Sequence, residues 1–598
     1  MRTFPKARVA RLAMPAVAFL FASPFASASV TVALSPTQVS LPANGTQSFT
    51  AAVSGSSDQN VTWLVNGVPG GAPSMGTISA NGVYTAPAGA SASFTATVTA
   101  QAEAAPLATG SASVAVAAST FSGPVYYVAT TGSDSAGGSA TAPWRTIQHA
   151  MNTVPAGATV QVAGGTYNEL VTINRSGSAT AGYITLTSAP GQLATIDGHG
   201  LGVPQGEQGL ITLQNASYVR VIGLQLQNYT SNSSSLVPAG IFIEGAGDHI
   251  EIRNNHIHNI VTTVQTSSGD AFGLAVYGQS ATPISNLIID GNELDHLTTG
   301  YSESLTVNGN VQNWQVTLNR VHDNNNIGID AIGFEGTAPA GSVDQARNGW
   351  IAGNTVYNIT STTNPAYNDQ PGADGIYVDG GTQITIEQNS VQAADLGIEL
   401  ASEHKGHDTS YVTARNNLVF DSAIAGISIG GYSSSAGGTD HCNIVNNTLF
   451  ENDTTQSGSG EFQVQYHASN NVFANNVLYA NGQGLLVNSF VSYSTAPVRL
   501  ENDLFYTSDG GASANWTWNN QSISDLDSFQ QASGSESGGL LADPQLVNVA
   551  TPNLSLSAGS PGIGSGVNLG LALEGAYDYA GSPRATNSGV IDRGAYQN

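Results

Sequence analysis

Apolar and polar residues alternate along most of this chain. In Gly375–Asp379 (GIYVD), Ile376 and Val378 face one way and Tyr377 and Asp379 the other. In the run Gly397–Glu403, Ile398 and Leu400 point inward, and Glu399 and Ala401 outward. A period of two is the mark of a half-buried strand. These runs belong to a repeat. Asn recurs between short apolar stretches at Asn255, Asn292, Asn319, Asn354, Asn389, Asn417, Asn447, Asn476 and Asn502, mostly 26 to 30 residues apart, with longer steps where loops are inserted. A second strand opening on glycine accompanies most copies, at Gly240, Gly273, Gly328, Gly375, Gly397 and Gly426. Each repeat is one coil of at least two strands, and stacked coils pair each strand with its copy about 4.8 Å away. The Asn residues are expected at the turn, as a hydrogen-bonded ladder with a structural role. The pattern predicts an all-β solenoid.

The pattern changes at both ends. Residues 29–118 hold short strands, such as Gln47–Val53 and Ser93–Thr99, between Asn-Gly turns, with Trp63 as a core anchor; this predicts a small β-sandwich. A linker of small residues, 115–122, leads to an amphipathic helix over Trp144–Val154 and strands at Thr159–Val162 and Leu170–Ile173. Residues 1–28 carry Arg2, Lys6, Arg8 and Arg11, then an apolar run and Ala26-Ser27-Ala28, which reads as a secretory signal peptide. The expected division is therefore 1–28 signal peptide, 29–118 sandwich, 123–545 solenoid and 546–598 closing segment.

Composition narrows the function classes. Only 9% of the 598 residues are charged, Gly numbers 69, and the net charge is −26. Such a chain repels nucleic acid and anionic membranes, and no run after the signal is long and apolar enough to span a bilayer. The lone cysteine, Cys442, forms no internal disulfide.

Candidate chemistry follows from aligning the second strands on their glycines. Asp330, Tyr377, Glu399 and Ser428 then share one outward column, and Asp379 lies two residues further along, diagonal to Glu399. One coil and two residues separate that pair by roughly 8 Å between Cα atoms. This spans the spacings of retaining and inverting glycosidases, where one carboxyl donates a proton and the other attacks or activates water. Asp330 and Glu403 stand ready to raise the donor's pKa. Glu403, His404 and His407 pose a zinc question, but H-x-x-H in a loop is a weak signal, and a polar role at the cleft edge is preferred. Loops at 335–347, 360–372 and 430–441 flank the column; Trp350, Tyr367 and Tyr432 are the candidate sugar-stacking aromatics.

Three resemblances add to this reading. VTWLVNG and GTISANGVYTAP resemble bacterial immunoglobulin-like domains, which act as spacers or carbohydrate-binding modules. The segment from Tyr126 to Ile173, with the Asn repeat, resembles secreted right-handed parallel β-helix proteins, whose helix caps the first coil; Asp592–Tyr596 resembles part of their closing segment. The run from Gly375 through Asp395–Leu400 resembles the catalytic segment of β-helical β-xylosidases. That last resemblance implies Asp379 as nucleophile and Glu399 as acid/base, although Gly380 stands where the family has Trp. The alternative is a polysaccharide lyase or epimerase. On this fold, such enzymes use a Lys or Arg base, here Lys405, and many use Ca²⁺, for which Asp330, Asp374, Asp379 and Glu399 are the nominees; their paired-Asp motif is replaced by NNNIGID at Asn324–Asp330. A third reading is a non-catalytic adhesin or glycan binder. Hydrolysis needs no cofactor; the expected partner is a carbohydrate, and a monomer is favoured.

Overall fold

The computed structural model describes residues 29–119, 123–551, 553–584 and 589–598. The expected signal peptide, 1–28, lies outside them. No helix among the described residues is long and apolar enough to cross a membrane.

From Val125 onward the chain winds as a right-handed parallel β-helix. Each coil carries three strands, one more than the minimum the repeat demanded. The first sheet runs from Val125–Val128 to Val498–Glu501, the second from Gly165–Tyr167 to Leu540–Leu541, and the third from Val171–Ile173 to Gln521–Ile523. The strands at Asp374–Asp379 and Leu396–Ala401 pair in parallel in the third sheet, with Tyr377 opposite Glu399 and Asp379 opposite Ala401. Inward residues such as Ile376, Val378, Ile398 and Leu400 fill one continuous apolar core.

Two sequence features hold the coils in register. At the turn from first to second sheet, each Asn accepts from the backbone and side-chain amides of the Asn one coil before. Asn389 accepts from both amides of Asn354 at 2.9 Å, and donates to the Ile351 carbonyl and Asn417 Oδ1 at 3.0 Å. The ladder runs through Asp503, which accepts from Asn476 at 2.7 and 3.0 Å and gives its own amide to Glu536 Oε1 at 2.8 Å, and not through Asn502. Asn502 takes the left-handed position beside it, at φ 58°. The second feature is the glycine column. A Cβ on Gly397 would stand 2.3 Å from the Gly426 carbonyl oxygen, so only glycine lets these coils approach.

The cap helix is shorter than its amphipathic pattern, Ile147–Thr153, because Thr146 caps it by accepting from the His149 amide. At the other end, the helix Leu526–Ser533 stacks Phe529 on Trp516. The tail runs back along the outside, packing Leu554 and Ala595 on Leu418, Phe420 and Phe450. The N-terminal strands pack around Phe49, Trp63, Tyr84 and Val98, with the last of them running through Val116 into the expected linker. This unit docks on the first sheet. Arg415, fully buried, ties three parts together: it pairs with Glu387 at 2.7 Å and donates to the carbonyls of Gly67 and Ala572.

Candidate functional site

The outer face of the third sheet carries the acids. Parallel register sets Thr306, Asp330, Tyr377, Glu399, Ser428 and Gln463 in one column. Each projects away from the solenoid core, yet Asp330, Asp374 and Asp379 are only 2, 3 and 4% exposed, so they are not solvated surface acids. Flanking loops cover them. Tyr367 stacks on Tyr301 at 4.9 Å and receives a hydrogen bond from Asn326. Phe334 stacks on His407 at 4.2 Å.

The local bonds orient the central pair. Asp379 Oδ1 accepts the Glu403 amide at 2.8 Å, and its Oδ2 lies 3.8 Å from His404 Nε2. Glu399 Oε1 accepts from Gln465 Nε2 at 2.6 Å, and the same amide reaches Ser428 Oγ at 2.7 Å. Two further acids join them that the glycine alignment overlooked, Glu303 and Glu335. The coil carrying Glu303 has Ser304 where its neighbours have Gly, so the alignment skipped it. Glu335 lies just past the strand Ile329–Ile332, beyond Phe334, whose φ of 71° turns the chain, and it accepts from Asn308 at 2.6 Å.

Burial and mutual repulsion keep the carboxyls of Asp330, Asp374, Asp379, Glu303 and Glu399 protonated well above their ordinary range. Burial lifts Asp379 to about 8; the Glu403 amide opposes this, while the Glu403, Glu335 and Glu399 charges add to it. Burial raises Glu399 to about 7 against the bonds from Ser428 and Gln465. Glu303, Asp330 and Asp374 are pushed well up for the same first reason, then by neighbouring acids. Acids packed this way cannot all ionise, so a proton donor stands beside carboxylates. Several buried polar atoms here have no partner: Asp330 Oδ1, Asp374 Oδ1, Thr306 Oγ1, Asn308 Oδ1 and His404 Nε2. Unpaired buried polar atoms are costly and point to a polar ligand.

The remaining nominees fall differently. Lys405 and Glu403 are exposed at the rim, and Lys405 has no acid within 4.0 Å among the described residues. Tyr432 is 62% exposed on its loop, near Tyr301. Trp350 stands apart. It lies on the first sheet and donates to Glu387 at 2.7 Å, because the chain has already crossed to another face within four residues of the loop. His404 and His407 do not converge on a zinc site; one faces Asp379 and the other stacks on Phe334. The four Ca²⁺ nominees supply the right hard oxygens. Even so, among the described residues only His256, Glu293 and Asp295 bring three His, Cys or carboxylate donor atoms within 4.8 Å of one another, on a different sheet. A cavity of about 730 Å³ also lies at the junction of the sandwich and the first sheet. Its charged groups are already paired, Arg220 and Arg253 with Glu251 at 2.9 and 2.8 Å, so it lacks the free acids of the third sheet.

Known proteins place this architecture. The family model described as a right handed beta helix region matches residues 239–449, and one described as a protein of unknown function (DUF1565) matches 130–173. The Bacillus subtilis protein YwoF is 36% identical over 441 residues, which span 74% of this chain and 92% of that protein. The chain belongs to the YwoF family. Pectate lyase PEL9 of Emericella nidulans is 32% identical over 154 residues, 24% of this chain and 34% of the lyase. Among solved structures, a complex of XylC with xylose is similar over 79% of this chain and 99% of that one, at 12% identity and a TM-score of 0.45. Pectate lyase Pel9A is similar over 80% and 97%, at 17% identity and a TM-score of 0.42.

Proposed function

We propose that this chain is a secreted carbohydrate-active enzyme, a glycoside hydrolase working on the outer face of the third sheet with Asp379 and Glu399 as its reacting pair. The observation that carries the reading is the row of buried, proton-holding acids on adjacent coils, outside the core and with unpaired oxygens. Glu399, held by Gln465, is the proton donor to the leaving oxygen. Asp379, held by the Glu403 amide, attacks the sugar or activates water once it has released the proton that burial holds on it up to about 8; Asp330, Asp374 and Glu303, whose carboxyls burial and neighbouring acids push up, surround the pair. Tyr301, Tyr367 and Tyr432 offer faces to sugar rings at the rim. The test is a panel of polysaccharides scored for reducing ends. Release that is insensitive to chelator and lost in Asp379→Asn and Glu399→Gln supports the reading; full activity in both variants ends it.

A second reading is β-elimination of a uronate polymer, with Lys405 as base. The oxygen-only acid cluster, the unpaired lysine at the rim and the partial match to a pectate lyase favour it. It requires unsaturated product ends, and their loss in Lys405→Ala. Hydrolysis leaves none, and Lys405→Ala then keeps most activity.

A further inference from the structure

The second sheet carries a cluster unrelated to the acid cleft. We propose that a divalent transition metal ion binds there, bridging three consecutive coils through His256, Glu293, Asp295 and His322. In the register of this sheet, His256 lies opposite Glu293, and Asp295 lies opposite both His258 and His322. The donor atoms of His256, Glu293 and Asp295 all lie within 4.8 Å of one another. His322 completes the group, its Nε2 standing 3.1 Å from Glu293 Oε1 and 3.8 Å from Asp295 Oδ2.

The orientation of His322 is fixed from behind. Its Nδ1 lies 2.7 Å from Asp323 Oδ2, and its ring stacks on Tyr357 at 4.5 Å and 4°. A proton on Nδ1, donated to Asp323, leaves the Nε2 lone pair aimed at two carboxylates. His256 Nε2 meets Asp295 Oδ2 at 2.7 Å in the same way. Lone pairs that face carboxylate oxygens repel unless a proton or a cation lies between them. A carboxylate behind an imidazole is the arrangement that orients and strengthens a metal-binding histidine. The carboxylates also outnumber the fixed cations: of Glu293, Asp295 and Asp323, Arg320 takes only Glu293 Oε1, at 2.7 Å, and His296 Nδ1 stands 2.7 Å from Asp295 Oδ1, which leaves Asp295 Oδ2 facing the site. Two imidazoles and two carboxylates suit Zn²⁺, whereas Ca²⁺ prefers oxygen donors alone. Because its ligands come from three rungs, the ion would act as a staple across the coils.

The test uses the full chain, stripped with chelator and titrated with ZnCl₂ by calorimetry, with CaCl₂ as the contrast. One Zn²⁺ per chain is expected, with a rise in melting temperature. Affinity should fall at least about tenfold in His256→Gln and His322→Gln, and about 10- to 100-fold in Asp323→Asn. His256 is on the surface, so its variant is expected to fold normally. Three results overturn the proposal: no stoichiometric binding, Zn²⁺ binding unchanged in the His256→Gln/His322→Gln double variant, or Ca²⁺ competing on equal terms.

Discussion

Replacing Asp379 with Asn should make the protein more stable while abolishing turnover. Asp379 is 4% exposed, and burial lifts its carboxyl from an ordinary 3.8 to about 8. At pH 6 the unfolded chain has released this proton and the folded chain still holds it. The difference of about 2 pH units, at about 1.36 kcal/mol each, costs the fold about 3 kcal/mol. The sign follows from the direction of the shift. A raised carboxyl leaves stability intact below 3.8 and erodes it as pH climbs through 8. Asn does not titrate, and its Oδ1 can still accept the Glu403 amide. The variant should therefore match the parent near pH 4 and exceed it by a gap that widens up to pH 8. If the chain unfolds as one unit, an unfolding entropy of about 1.3 kcal/mol/K makes the gap roughly 2 °C at pH 6. Scanning calorimetry of both proteins from pH 4 to 8 reads it directly. A variant that melts at or below the parent at every pH, or a gap that does not widen, would refute the reasoning. In the proposed role of Asp379, stability gained on its removal is the trade expected where function keeps an acid buried at a cost.

Three further outcomes follow from the same geometry. Asn389→Ala strands the Asn354 backbone amide, one of its side-chain hydrogens and the Ile351 carbonyl. At about 1–3 kcal/mol per unpaired group, a loss of about 3–9 kcal/mol is expected in denaturant titration; a loss under about 1 kcal/mol would show that the ladder relaxes freely. Gly397→Ala pushes a methyl into the Gly426 carbonyl, so the soluble, folded yield should collapse, whereas Gly137→Ala, in open space, costs far less. Gln465→Ala removes the donor that favours ionised Glu399, so the alkaline limb of the pH–rate profile should move up by roughly half a unit to one unit. A limb that stays fixed or moves down would remove Glu399 from the proton-donor role.

The acid column is legible in the sequence because the solenoid repeats one geometry. Parallel coils stack in register, so aligning Gly328, Gly375, Gly397 and Gly426 put Asp330, Tyr377, Glu399 and Ser428 side by side, as the strand pairing has them. The pattern failed where the repeats lost their markers: Ser304, in place of Gly, hid Glu303, and Asn502 stood one place short of the ladder position held by Asp503. Closeness in sequence misled for Trp350, since a few residues past a loop the chain is already on another face.

Strand order, coil spacing and the outward set of side chains were thus fixed by alternation and by the Asn and Gly repeats, which act between nearest rungs. Three things were decided only by the folded molecule: the loops that bury Asp330, Asp374 and Asp379, the Arg415 bridge to Gly67 and Ala572, and the diagonal meeting of His256, Asp295 and His322. The reason is physical. A rung's geometry is local and periodic, so sequence spacing encodes it, whereas loop closure and cross-rung side-chain contacts obey no period and depend on where the whole chain comes to rest.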